Sequence, residues 1–396
     1  MKIRIVTILF LIVFLSCSKN TTTPISSPET IVLNKRLDSI FALSNLSGIS
    51  FVVVNDEGAL FQKSLGYADL ASKKKYTDNT IQMIASVSKT LIAVAVMKAL
   101  DEGKVELDED INTYLPFEVK HPLYPDTPIT LRHLSSHTSG ILDDEVYDFS
   151  YVLKNPNADF SYLPEGVREY VESLRENVDI DESVFLENAL SVDGAIYDTD
   201  TFSEEKPGEV YDYSNIASTL AAFVVESAVG VPYEAYTKQM IFDPLNMTAF
   251  GWNTTEINTA DLATLYLSKE IPAPEYSLVT KADGGFLTST TDFSKFMTEM
   301  LKGSTNRGVI LSKDSFNTMF ARIGISGQGV GIFWDINAEG NPSHNGGDPG
   351  VMTNLEIYPQ RNIAIYMQTN TSSDIGEDIR PYINAMWAEL LRQEWK

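Results

Sequence analysis

Ser86 and Lys89 stand three positions apart and are the pair in this chain best placed for covalent chemistry. On a helix that spacing projects both side chains from one face. A hydroxyl at a helix N-terminus meets unpaired backbone N–H groups and the positive end of the macrodipole, which favour developing negative charge. An ammonium beside it perturbs the hydroxyl or, if desolvated, takes its proton. The stretch 84–103 is predicted to be that helix. Val87, Leu91, Ile92, Val94, Ala95, Val96, Ala99 and Leu100 cover most of its circumference, so it should be buried, with Gly103 as its C-cap.

The spacing alone is weak evidence, because Ser-x-x-Lys also occurs at Ser16/Lys19 and Ser72/Lys75. The first straddles an N-terminal leader and the second lies in a polar, lysine-rich turn. Only Ser86/Lys89 opens a buried helix. Tyr-x-Asn likewise occurs twice. Tyr382/Asn384 falls inside an amphipathic C-terminal helix, where a core tyrosine suffices. Tyr213/Asn215 follows the Lys206-Pro207-Gly208 turn and precedes a helix from Ile216, a loop position suited to functional groups. Late in the chain, Ser343-His344-Asn345-Gly346-Gly347-Asp348-Pro349-Gly350 reads as a strand whose glycines permit close backbone approach, or as a plain bulge and turn.

His133 and His137 have the i,i+4 spacing of a metal pair, but Leu134 and Ser135 follow His133 where a zincin carries glutamate. No metal and no cofactor is expected. Acidic residues outnumber basic ones 54 to 30, a formal charge of −24, which argues against nucleic acid as a partner. No phosphate loop, dinucleotide fingerprint or Gly-x-Ser-x-Gly elbow is present.

The elements that must position these residues come from both chain ends. Residues 31–46 have helical spacing; 49–55 and 59–67 form a predicted hairpin around Asp56-Glu57-Gly58. From about 130 to 252 the pattern is largely helical, with acidic, turn-rich stretches at 143–159 and 198–205 predicted to loop over the surface. Predicted strands return at 329–336, 342–347, 351–358 and 363–369, and a helix closes the chain over 374–396. The architecture expected is an antiparallel sheet built from both ends and flanked by helices, with a mainly helical region inserted. In residue terms this gives an α/β part over about 31–110 and 265–396 and an insert over about 111–264.

The single cysteine, Cys17, excludes an internal disulfide. It follows a basic start (Lys2, Arg4) and an apolar run over 5–15 that is too short to span a membrane. This pattern resembles a bacterial lipoprotein signal. It implies a signal peptide over 1–16, lipidation at Cys17, a polar tether over 17–30 and a folded domain over 31–396, held at the cell envelope by a lipid anchor.

Three motifs in order, Ile84-Ala-Ser-Val-Ser-Lys89, Tyr213-Ser-Asn215 and His344-Asn-Gly346, resemble those of the serine β-lactamase and penicillin-binding protein superfamily, closest to its class C-like branch. Flanking stretches agree: Leu131-Arg-His-Leu-Ser-Ser-His-Thr-Ser-Gly-Ile141, Pro244-Leu-Asn-Met247, Gly284-Gly-Phe-Leu-Thr-Ser289 and Gly346-Gly-Asp-Pro-Gly350. The likeness covers roughly residue 31 to the C-terminus and gives His133 and His137 a structural role. It implies a β-lactamase/transpeptidase-like fold and a serine hydrolase acting through an acyl-enzyme. Ser86 would be the nucleophile, with Lys89 and Tyr213 sharing the proton work; which of the two is the base stays open. Asn215, His344, Asn345 and Gly346 would bind substrate, and the backbone N–H groups of Ser86 and Gly347 would form an oxyanion hole.

His344 stands where penicillin-recognising members carry lysine, and a histidine is mostly neutral at pH 7. That departure predicts an esterase, or a peptidase of D-amino-acid type, rather than an efficient β-lactamase. The partner would be a small-molecule or peptide substrate with an ester or amide carbonyl. A β-lactamase or penicillin-binding DD-peptidase is the alternative within the class, and a non-catalytic binding lipoprotein the alternative outside it.

Overall fold

The computed structural model describes residues 28–325, 328–376 and 378–395. The predicted signal peptide, Cys17 and most of the tether lie outside the described residues. Helix α1 (Pro28–Leu43) begins inside the stretch expected to be tether.

Strand β1 (Gly48–Asn55) and strand β2 (Gly58–Asp69) pair antiparallel around the predicted turn. The Asn55 side chain closes that turn, accepting from the N–H groups of Glu57 (2.9 Å) and Gly58 (3.1 Å). A two-residue strand, β3 (Lys74–Lys75), adds to β2. The remaining strands of the sheet come from the far end of the chain: β4 (Ile323–Ile325), β5 (Gln328–Val330), β6 (Asp335–Ile336), β7 (Pro342–Asp348), β8 (Val351–Tyr358) and β9 (Ile363–Thr369). Their spatial order is β4-β5-β6-β7-β8-β9-β1-β2-β3, so β1 joins the two chain ends by pairing with β9, Ile49 opposite Thr369 through Val54 opposite Ala364.

β1 runs apolar from Phe51 to Val54, without alternation, because both its faces are covered. Ile49, Phe51 and Val53 pack with Leu33 and Leu37 of α1 and with Ile383, Met386 and Trp387 of a C-terminal helix, Arg380–Leu391. Val52 and Val54 point the other way, into the core that holds Phe293 and Phe296. Each such side chain contributes roughly 1.5–3 kcal/mol on burial. β8 alternates buried and half-buried residues along its whole length, the period of two expected of a strand.

Helix α2 (Lys89–Asp101) is apolar on nearly every side and runs through the larger core, against α3 (Asn215–Val229). The sheet is antiparallel throughout and flanked by helices, as the sequence predicted. Two differences bear on function. The stretch predicted as one strand over 329–336 is broken after Val330: Phe333 adopts φ 52° and Gly331 N–H donates to Trp334 O (2.7 Å). That tight turn projects Phe333 and Trp334 and reverses the chain into β6. The acidic stretch predicted to loop over the surface from 143 contains a short helix, Asp144–Asp148, and a strand, Tyr151–Leu153, and Asp143 itself is an interior tie. No single helix among the described residues is long and apolar enough to cross a membrane.

Candidate active site

Ser86 lies in a 3-10 turn, Ala85–Ser88, and the α-helix proper starts at Lys89, later than the sequence predicted. Ala85 takes φ 47°, a left-handed conformation that is costly for a side chain bearing Cβ. The kink turns Ser86 out of the helix while leaving Lys89 at the head of α2. Lys89 is fully buried and its ammonium meets three oxygens: Asn215 Oδ1 (2.6 Å), the Asp283 carbonyl (2.8 Å) and Ser86 Oγ (3.1 Å). The Tyr213 hydroxyl is 2.8 Å from the same Ser86 Oγ, and Lys89 Nζ sits 5.0 Å from the Tyr213 ring centre. Two segments far apart in sequence therefore meet at one hydroxyl, and a third, at Asp283, reaches it through Lys89.

Tyr213 and Asn215 are placed by the start of α3. Ser214 is the N-cap, its hydroxyl accepting from Ala217 N (2.9 Å). Asp143 braces the same turn, accepting from Asn215 N (2.8 Å), Asn215 Nδ2 (2.8 Å) and Ile216 N (3.0 Å). With its amide nitrogen tied to Asp143, Asn215 is left with Oδ1 facing Lys89. Sequence reasoning missed Asp143, and no local signal marks it, since its partners lie about seventy residues on. His137 supports the other side. Its Nδ1 accepts from Ser214 N (3.2 Å) and its ring lies 4.4 Å from that of Tyr213, centre to centre. Burial holds His137 well below the usual imidazole range, helped by the Lys89 ammonium. The histidine pair that raised the question of a metal is thus occupied in packing: His133 sits against Gly208, where a Cβ would come within 3.0 Å of its ring.

The third motif lies on β7. Only Pro342 and Ser343 of this strand pair with β6, so its second half turns an unpaired edge toward the Ser86 turn. Gly346 is buried against that turn. A Cβ there would lie 2.9 Å from both Ser86 N and Ile84 O and 2.4 Å from Thr353 Oγ1. Gly346 thus serves as a spacer for backbone contact, while Asn345 and Gly347 are exposed toward the cleft. His344 is buried. Its Nδ1 lies 2.7 Å from the Asn345 carbonyl, which can only accept, so Nδ1 carries the proton and Nε2 remains an acceptor. Burial, with Lys89 nearby, lowers His344 to about 4, so the ring is neutral at pH 7.

Two acids near Lys89, Asp283 buried and Asp348 half-buried, were also missed. Asp283 supplies the carbonyl that holds the ammonium, and burial raises its carboxyl to about 7 despite that cation. Asp348, one residue past Gly347, is raised to about 7 by burial and accepts from the Tyr151 hydroxyl (2.9 Å). Ser86, Tyr213, His344, Asn345 and Gly347 line a cavity of about 350 Å³, walled on its far side by Tyr211, Phe333, Trp334 and Asp335. The arrangement can deprotonate a serine hydroxyl beside a fixed cation and offer backbone N–H groups to an adjacent oxygen.

The Beta-lactamase family model matches residues 37–385. The D-alanyl-D-alanine-carboxypeptidase/endopeptidase AmpH of Escherichia coli (strain K12) is 24% identical over 372 residues, covering 88% of this chain and 86% of that protein. Among solved structures, the octameric penicillin-binding protein homologue from Pyrococcus abyssi superposes with a TM-score of 0.69 at 24% identity, over 91% of this chain and 76% of its own. The β-lactamase/D-alanine carboxypeptidase from Pseudomonas syringae superposes with a TM-score of 0.67 at 16% identity, over 92% and 99%.

Proposed function

The chain belongs to the β-lactamase family of serine hydrolases, and from that membership we propose that it performs two-step acyl transfer at Ser86 on a carboxylic ester or amide. The observation that carries this reading is Ser86 Oγ, held 3.1 Å from the buried Lys89 ammonium and 2.8 Å from Tyr213 Oη. Two of the three Lys89 N–H bonds go to strict acceptors, Asn215 Oδ1 and Asp283 O, and the third reaches Ser86. Lys89 is thereby held where it can stabilise negative charge developing on Oγ. The proton of Ser86 passes into the Lys89–Tyr213 pair, both within hydrogen-bond reach of Oγ, as Oγ bonds to the substrate carbonyl carbon. The oxyanion that forms is received by the N–H groups of Ser86 and Gly347, donors of a kind worth about 3–4 kcal/mol of barrier each. The pair then returns the proton to the departing oxygen or nitrogen, and water releases the acyl group from Ser86.

For substrate class, the names of the relatives point to D-alanyl peptides, and the chemistry of this cavity points elsewhere. A neutral His344 offers no fixed cation for the carboxylate of a β-lactam or a peptide terminus. Esters, or amides lacking an obligatory carboxylate, suit it better. A panel of p-nitrophenyl esters, D-alanyl peptides and cephalosporins on wild type and Ser86→Ala tests this. Ester hydrolysis lost in Ser86→Ala is expected, and a cephalosporin turned over efficiently with little esterase activity would refute the preference. No reaction with any acylating probe would favour a binding lipoprotein. The leader pattern supports export and anchoring through Cys17; recovery of wild type and Cys17→Ser alike in the soluble fraction of cells would count against it.

A further inference from the structure

The cavity beside Ser86 carries one acidic side chain, Asp335, and no lysine or arginine lines it. Asp335 sits on β6 opposite Ser343, next to His344 on the neighbouring strand. Its backbone is set by the tight turn at Phe333, so its side chain lies beside Phe333, Trp334 and Tyr211 in the cavity wall. Among the described residues no hydrogen bond or ion pair reaches its carboxylate, and burial alone raises its carboxyl above the usual range. The Tyr211 hydroxyl registers the same charge: burial, followed by the Asp335 carboxylate, pushes it up to about 12. The two histidines that line the cavity, His137 and His344, are both held below the usual imidazole range and give Asp335 no counter-charge.

An uncompensated, half-buried carboxylate is unfavourable in the empty protein and becomes favourable when a cation pairs with it. Aromatic walls around it add the faces on which ammonium groups settle. A substrate carboxylate in the same cavity would be repelled.

We propose that Asp335 sets the substrate class of this site, as the counter-charge for an ammonium group on the part of the substrate that fills the cavity next to Ser86. The inference rests on the acyl-transfer reading above and narrows it to cationic esters or amides. Two ester pairs test it, each matched in shape and differing in charge. The first is a choline ester against the 3,3-dimethylbutyl ester of the same acid, with the charge on the alcohol side. The second is p-nitrophenyl 4-(trimethylammonio)butanoate against p-nitrophenyl 5,5-dimethylhexanoate, with the charge on the acyl side.

In wild type, the cationic member of one pair should be favoured in kcat/KM by about tenfold or more. Asp335→Asn should bring that pair to parity, and an unfolding midpoint like that of wild type shows that the variant folds. Equal rates within both pairs in wild type, or a preference that survives in Asp335→Asn, would overturn the proposal. Calorimetric titration with tetraethylammonium reads the same site without turnover. Saturable binding lost in Asp335→Asn supports the assignment, and its absence in wild type refutes it. Failure of every ester to react at Ser86 would instead refute the acyl-transfer reading.

Discussion

Replacing Asp143 by alanine removes a carboxylate that ties together the start of α3. It accepts from Ser214 Oγ (3.2 Å), Asn215 N (2.8 Å), Asn215 Nδ2 (2.8 Å) and Ile216 N (3.0 Å). The two backbone donors are among the N–H groups that a helix start leaves without intrahelical partners. A hydrogen bond to a charged group contributes about 1.5–3 kcal/mol, and four donors sharing one carboxylate do not add. Water entering the space restores part of the loss, which puts the net cost to folding at about 2–4 kcal/mol. The effect on the site follows from Asn215. Freed from Asp143, its amide can rotate, and Oδ1 no longer holds Lys89 at 2.6 Å. A displacement near 1 Å in a catalytic group costs up to about 100-fold, so the fluorophosphonate labelling rate at Ser86 should fall by about 10–100-fold. Labelling kinetics and denaturant unfolding on the same preparation separate the two effects. Wild-type labelling with an unchanged unfolding midpoint would refute the bracing role of Asp143.

Two further predictions concern the neighbouring elements. Gly346→Ala places a methyl 2.4 Å from Thr353 Oγ1 and 2.9 Å from Ser86 N, so β7 must move off the Ser86 turn. Its stability should fall by about 1–3 kcal/mol, with slower labelling of Ser86. Gly347→Ala, where a Cβ meets nothing within 4 Å, should keep wild-type stability, and equal losses in both variants would contradict the packing described. For Asp283, burial raises the carboxyl from 3.8 to about 7. Between those values the folded chain holds a proton that the unfolded chain releases. Its contribution is therefore full below about 4 and is lost as pH rises through 7. The unfolding free energy of wild type relative to Asp283→Asn should drop between pH 5 and pH 7, with a slope of up to ~1.4 kcal/mol per pH unit. A pH-independent difference would contradict the burial of that acid.

The sheet was legible because its strands carry their environment in their pattern. β1 is apolar at consecutive positions and buried on both faces, and β8 alternates. Helix α2 was legible for the same reason, and Ser86 and Lys89 were found because a buried helix carried two polar residues at one end. Tyr213, Asn215 and His344 emerged from short motifs given weight by their order. Local conformation against type was not legible. Ala85 and Phe333 adopt left-handed backbone without being glycine or asparagine, and those two kinks move the helix start to Lys89 and split a predicted strand. Long-range polar ties were equally invisible. Asp143 lies in an acidic, turn-rich stretch that reads as solvated surface, and Asp283 offers its backbone carbonyl, for which no side-chain pattern exists. Asp335 fell inside a predicted strand, and only the turn at Phe333 gives it a place in the cavity wall.

The central claim is that Ser86 forms the covalent acyl intermediate. Intact-mass analysis after exposure to a fluorophosphonate, followed by peptide mapping, tests it most directly. Wild type should gain one adduct located on Ser86, and Ser86→Ala should gain none. An adduct on another residue, or one retained in Ser86→Ala, would contradict it.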